Sequence, residues 1–371
     1  MKKKVILSVT NDLYTDPRVD KVCRSLLSFG FEVLLIGRKY ADSPTLPSRP
    51  YPCKRMHLLF RKGPCFYAEY NLRLFFYLLF LKSDILVAND LDTLLPNLLV
   101  SKLKNKKIVY DAHEYFCGLL SIANKPLVKK IWTKIETFCF PKLENIMTVS
   151  QSIADKYKET YHKNIAVVRN IPSGICPEVT ETRESLGLPK NKSIILLQGN
   201  GINQGRGAEE LVSAMQFIEG ALLLIIGNGT VIPKLKKMIT EIALSDKVQL
   251  IDRMNPDKLF NYTYLADIGI SIDKDLSPNL HYSLPNKIFE YIKAETPIIV
   301  SNLPERALIV DQYQVGKKIN NFDSQTIADA INEMINDKEQ YARYKENCKK
   351  AAKELRWENE EKVLREVYQK I

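Results

Sequence analysis

The sequence predicts an α/β protein made of two doubly wound parallel-sheet domains. Short, nearly continuous runs of Val, Ile and Leu alternate with helical patterns along the whole chain. Such runs mark strands buried on both faces, the condition of a parallel sheet covered by helices. At 371 residues the chain is also too long for one comfortable core. The alternation restarts after the Pro- and Gly-bearing stretch NIPSGICPEV at 170–179, which reads as a boundary. The expected division is 1–172, 173–356 and a closing helix over 357–371.

Taken in order, the first half carries candidate strands VILSVT (5–10), EVLLIG (32–37), DILVAND (84–90), KIVYDAHE (107–114), NIMTVS (145–150) and IAVVRN (165–170). The second half carries SIILLQGN (193–200), ALLLIIGNG (221–229), VQLIDRM (248–254), IGISI (268–272) and PIIVS (297–301). Asp16-Pro17 reads as a helix cap followed by a first-turn proline, and Asp92-Thr93 as a second cap. Arg18 reads as a solvated helix charge. In SLPNKIFEYIKAETPIIVS (283–301), Ser283 can cap a helix and Pro285 fits its first turn. Ile288, Phe289, Tyr291 and Ile292 share one arc at helical spacing. Glu290 falls on the other, with Asn286 and Ala294.

Charged residues at 26% and hydrophobic ones at 45% are ordinary for a globular protein. A net charge of +11 is not, and it suits an anionic partner. Without RNP-like, zinc-finger or basic-zipper patterns, nucleic acid is not expected. The seven cysteines are odd in number and lack a C-x-x-C pair, which suggests reduced thiols in a cytoplasmic protein. The four histidines lack H-x-x-x-H spacing, so no metal is expected. MKKKVILSVTND reads as a first buried strand rather than a signal peptide. LFFYLLFL (74–81) is far shorter than the ~20 residues of a spanning helix, so no membrane crossing is expected.

Two glycine-bearing turns follow consecutive strands of the second half: GNGINQGRG (199–207) and GNG (227–229). Turns of this kind let backbone amides and helix starts approach phosphates. With Arg206 in the first, Gly199, Asn200 and Gly227 become candidates for a phosphate-bearing ligand. Neither turn is G-x-G-x-x-G, which argues against NAD.

The chain resembles the family 4 glycosyltransferases, retaining enzymes of the GT-B fold that use nucleotide-sugar donors. The resemblance covers nearly the whole length. It rests on NDLYTDPRV (11–19), FGFEVLLIG (29–37), NDLDTLLP (89–96), YDAHE (110–114), ENIMTVSQSIADKY (144–157), VVRNIP (167–172), both glycine turns and, most specifically, LPNKIFEYIKAETPIIVS (284–301). It implies two Rossmann-like domains facing a central cleft, with the donor held mainly by the second, and a last helix returning to the first. It further implies that Glu290 accepts from the ribose hydroxyls and that the helix start at Asn286, Lys287 and Ile288 faces the diphosphate. Arg206 would stabilise charge on the leaving group, and His113 would bind a donor-sugar hydroxyl or a nearby backbone group. No protein nucleophile or metal cofactor is implied, so Asp90 and Asp92 are not read as a D-x-D metal site.

The chain departs from the family pattern in three places. Position 282 is Tyr where many members carry the first glutamate of E-x7-E, and Asn279 or His281 can substitute. Gly199-Asn200 stands where an arginine is common, leaving Arg206 and Lys287 as the cationic clamp. Asn11-Asp12-Leu13 replaces a glycine-rich loop, and Asn11 and Asp12 are further candidates for donor or acceptor contacts.

The segment 54–82 interleaves basic with aromatic and aliphatic residues. It reads either as a buried helix with a basic loop or as a surface docking on an anionic bilayer. The expected activity is sugar transfer from a nucleotide sugar to a glycan, lipid-linked in surface-polysaccharide assembly, by a cytoplasmic protein peripheral to the membrane. A non-catalytic sugar-nucleotide- or lipid-binding module of this fold and a nucleotide-sugar epimerase are the alternatives.

Overall fold

The computed structural model describes residues 2–14 and 16–371. The chain divides into two compact units, Met1–Asn170 with Glu361–Ile371, and Ile171–Glu360.

The first unit is built on seven strands, β1 (Lys4–Asp12), β2 (Glu32–Lys39), β3 (Cys53–His57), β4 (Ile85–Asn89), β5 (Lys107–Ala112), β6 (Asn145–Thr148) and β7 (Ala166–Val167). All are parallel, in the order β3-β2-β1-β4-β5-β6-β7. The central strands are the most apolar because helices cover both of their faces. Ile85–Asn89, for instance, is buried throughout. The helix Pro17–Ser28 starts as expected, with the Asp16 carboxylate accepting from the Val19 amide.

The second unit has six parallel strands: β8 (Ser193–Gly199), β9 (Ala221–Gly227), β10 (Val248–Ile251), β11 (Ile268–Ser271), β12 (Ile298–Ser301) and β13 (Gly316–Ile319). Their order is β10-β9-β8-β11-β12-β13. Two apolar clusters fill the space between this sheet and its helices, one on each face: the first around Ile195, Leu223 and Ile270, the second around Leu196, Phe289 and Ile298.

Sequence reasoning missed β3 and β13. Both are edge strands, CKRMH and GKKI. An edge strand needs little apolar run, and lysine or arginine there discourages pairing with other chains. The segment 54–82 is in part the buried helix of its first reading. Its helix Gly63–Phe80 buries one stripe, Phe66, Tyr70, Leu74 and Leu78, and leaves Leu72, Phe76 and Phe80 exposed on another. Among the described residues no helix is long and apolar enough to cross a membrane.

Candidate active site

In both sheets the polar residues gather at the carboxyl ends of the strands, where parallel sheets present ligand sites. In the first unit β4 and β5 end on Asp90 and on Asp111-Ala112-His113. Asp90 takes φ 60°, a left-handed angle rare outside glycine and asparagine-like residues. There its Oδ1 accepts from the His113 amide at 2.8 Å. The His113 ring then lies between two carboxylates, Nδ1 at 3.6 Å from Asp90 and Nε2 at 3.2 Å from Asp111. Burial works against the charged imidazole, but Asp90 and Asp111 outweigh it and push the group up to about 9. Burial raises the Asp90 carboxyl to about 7.

Arg18 is not a solvated charge. Its side chain is buried, with Nη2 at 2.8 Å from Asp111 Oδ1, Nε at 3.3 Å from Oδ2, and Nη1 donating to the Val168 carbonyl at 2.9 Å. Although burial opposes ionisation, Arg18 and then His113 hold the Asp111 carboxyl well below its usual range. Asp92 makes no cap for the helix Leu91–Leu103; it accepts from Thr10 Oγ1 at 2.6 Å. Asn11 donates to Asp16 at 3.3 Å, and Asp12 is buried against Arg55 at 3.4 Å. Both residues hold their loop in place.

In the second unit the centre is Asp273, just beyond β11 and fully buried. Its Oδ2 accepts from Arg306 at 2.6 Å and Arg206 at 3.2 Å. Lys287 bears on the same carboxylate, and burial lowers that ammonium to about 8, with Arg206 and Arg306 adding to the depression. Three cations thus surround one carboxylate. Arg206 and Lys287 were expected here. Asp273 and the fully buried Arg306 carry no local signal, because nothing in the flanking sequence distinguishes them from surface charges.

The two glycine turns differ in kind. A β-carbon on Gly227, whose φ is +136°, would lie 1.8 Å from the Gly199 carbonyl oxygen, so Gly227 permits the turns to touch. Gly199 has space: a β-carbon there would meet nothing nearer than Gly201 N and Lys287 Nζ, each at 4.0 Å. Asn200 directly follows Gly199.

The helix Asn286–Lys293 begins later than expected. Pro285 is its N-cap residue, and Ser283 instead donates to Leu280 O at 3.2 Å and accepts from Arg306. The Ile288 amide bonds to the Pro285 carbonyl at 3.2 Å, so the helix start presents at most the amides of Asn286 and Lys287. Ile288, Phe289, Tyr291 and Ile292 are buried as the periodicity requires, while Ala294 is buried rather than sharing the outer arc. The Tyr291 hydroxyl accepts from the Gln198 amide at 3.1 Å and lies 3.1 Å from the Leu196 carbonyl, fixing the helix to β8. This directs Glu290 to the Gln198 side chain, whose Nε2 donates to Oε2 at 2.6 Å; Gln198 Oε1 in turn accepts from Thr263 at 2.8 Å. Gln198 was not foreseen, being one polar residue in an apolar strand.

Glu290 and Gln198 open on a cavity of about 890 Å³ also lined by Pro256, Leu259, Phe260 and Thr263, a volume within the usual ~300–1,000 Å³ of ligand pockets. His281 pairs with Asp275 at 2.9 Å on the surface, and Asn279 is buried in the short helix Pro278–Tyr282. Among the described residues no group of three or more His, Cys, Asp or Glu could hold a metal ion.

Comparison with curated protein sequences gives no match. The family description "Glycosyltransferase Family 4" matches residues 18–178, and "Glycosyl transferases group 1" matches residues 178–351. Among solved structures, a sucrose-phosphate synthase from Thermosynechococcus elongatus is 16% identical with TM-score 0.83, over 100% of this chain and 99% of that one. HepE of Anabaena, solved with UDP and glucose, is 13% identical with TM-score 0.75 over 100% of both chains. WaaG, a glycosyltransferase involved in lipopolysaccharide biosynthesis, is 13% identical with TM-score 0.70, over 97% of this chain and 98% of that one. With two parallel-sheet α/β units and consecutive family matches from residue 18 to 351, the chain belongs to the family 4 glycosyltransferases and has the GT-B fold.

Proposed function

We propose that the protein transfers a sugar from a nucleotide-diphosphate donor to a glycan acceptor with retention at the anomeric carbon. The carrying observation is the excess of positive charge at the end of β11, where Arg206, Arg306 and Lys287 face one buried carboxylate, Asp273, beside an open glycine turn. Charge left uncompensated in a partly buried site favours an anionic ligand, and a diphosphate is the anion that a glycosyl donor brings. Glu290, on the wall of the adjacent cavity, accepts from two vicinal ribose hydroxyls. HepE with UDP-glucose and Staphylococcus aureus TarM with UDP support this choice of donor class.

Arg206 and Lys287 stabilise charge that grows on the leaving diphosphate. His113, held as a cation between two carboxylates, donates to a sugar hydroxyl. The departing phosphate itself takes the acceptor proton, as front-face retention requires. The reaction in this form needs no metal cofactor.

The acceptor is a lipid-linked glycan of surface-polysaccharide assembly, and the protein is cytoplasmic and peripheral to the membrane. WaaG's part in lipopolysaccharide biosynthesis supports that acceptor class. The exposed Leu72, Phe76 and Phe80 beside Arg73 and Lys82 support docking at an anionic bilayer.

Calorimetric titration with UDP, GDP and ADP tests the donor site. One nucleotide should bind, and Arg206→Ala and Glu290→Ala should each weaken it at least tenfold while leaving the unfolding midpoint in place. Unchanged donor affinity in Glu290→Ala would remove the ribose role.

A further inference from the structure

The first unit carries a second, smaller cavity, of about 120 Å³, lined by Arg38, Lys39, Tyr40, His57, Phe60 and Arg61 among others. It lies where the parallel neighbours β2 and β3 end together, with Lys39 in register with His57. Four basic residues therefore converge on a space well below the ~300 Å³ lower end of pockets for drug-sized ligands.

Stacking, not charge, holds Arg38 in place. Its guanidinium carbon lies 3.8 Å from the centre of the Tyr40 ring and 4.2 Å from that of Phe66. Nη1 donates to the Arg61 carbonyl at 3.3 Å, and Nε is buried without a hydrogen-bond partner. The carboxylates whose charge reaches it are already engaged, Asp12 by Arg55 at 3.4 Å and Asp92 by Thr10 at 2.6 Å. Among the described residues, none of Arg38, Lys39, His57 and Arg61 forms an ion pair with a carboxylate.

A guanidinium stacked on aromatic rings bonds through its edge, the geometry that grips an oxyanion through two parallel N–H bonds. The rim adds an apolar component, since Leu59 is 81% exposed and Phe60 49%.

We propose that Arg38, Lys39, His57 and Arg61 form a phosphoryl-binding subsite, which takes the phosphate of the acceptor while Leu59 and Phe60 meet its apolar portion. The word acceptor rests on the proposed transfer reaction; the anion site does not. The phosphate belongs either to a soluble phosphoryl compound or to a lipid headgroup, and both present the same oxygens to the pocket.

The test uses the full chain saturated with UDP, so that the cations around Asp273 are already occupied. Inorganic pyrophosphate is titrated by calorimetry, and vesicles of phosphatidylcholine with or without phosphatidic acid are followed by flotation. The double variant Lys39→Ala/Arg61→Ala leaves the stacked Arg38 in place and so protects the fold. Pyrophosphate binding weakened at least tenfold in the variant, with UDP affinity unchanged, supports a subsite open to soluble phosphates. Binding only to phosphatidic acid vesicles, lost in the variant, supports the headgroup form. No binding to either probe, or equal binding by wild type and variant, overturns the proposal. If the wild type does not bind UDP, the donor reading fails separately, and the same titrations on Arg206→Ala still judge the pocket.

Discussion

Lys287 Nζ lies 4.0 Å from the point where a β-carbon on Gly199 would stand, whereas a β-carbon on Gly227 would fall 1.8 Å from the Gly199 carbonyl oxygen. Gly199→Ala should therefore keep the fold, with stability unchanged or raised by about 0.4–1 kcal/mol, but should crowd the space beside the ammonium and weaken nucleotide binding. Gly227→Ala should cost more than about 3 kcal/mol. Chemical unfolding of the two variants beside calorimetry of Gly199→Ala checks the pair. Equal destabilisation would contradict the distinction.

The same lysine predicts how donor affinity responds to pH. Burial lowers its ammonium to about 8, and a bound diphosphate favours the protonated form. Affinity should be full below pH 8 and decline above it, approaching tenfold per pH unit for one linked proton. Lys287→Met should bind more weakly throughout and lose this decline. Calorimetric titration from pH 6.5 to 9.5 reads both curves.

Arg18 and Asp111 form a buried pair with side-chain exposures of 3% and 0%. Removing the cation leaves a carboxylate that has only His113 to oppose it. Arg18→Met should thus destabilise the first unit by about 3–5 kcal/mol, far beyond the few tenths expected of a surface arginine. Urea unfolding of the purified variant measures it.

His113 makes the first unit sensitive to alkali. Its folded value of about 9 exceeds the ordinary 6.5, so its stabilisation is complete below pH 6.5 and is lost as pH rises through 9. That is on the order of 3 kcal/mol. Asp90, raised to about 7 by burial, acts in the same direction: the unfolded chain ionises first, so stability falls between pH 4 and 7. Asp90→Asn should bring the imidazole midpoint back toward 6.5 in an NMR titration and flatten the alkaline fall in melting temperature.

Much of the fold was legible because buried parallel strands declare themselves as apolar runs, and the Asp16-Pro17 cap because its chemistry is local. Glu290 and Arg206 were legible through motifs. Arg18, Asp273 and Arg306 were not, for a common reason. A buried ion pair is defined by its partner, and Asp111 lies 93 residues from Arg18 in the chain. Ser283 misled for the opposite reason: a residue suited to capping was taken instead by Arg306, across 23 residues. The strands β3 and β13 escaped because edge positions do not demand the apolar signature that identifies the interior ones.

The first unit is discontinuous. Residues Glu361–Ile371 belong to it, with Tyr368 set edge-on against Phe31 at 5.8 Å and Arg365 over the Phe29 ring at 4.1 Å. Domains generally mature in the order in which they are synthesised, but here the earlier one waits for a segment that follows all of the later one. During translation the seven-stranded sheet stands without its last helical cover, leaving Phe29 and Phe31 without these partners. The second unit is the one that can finish first, and the first becomes whole only once Glu361–Ile371 has been made.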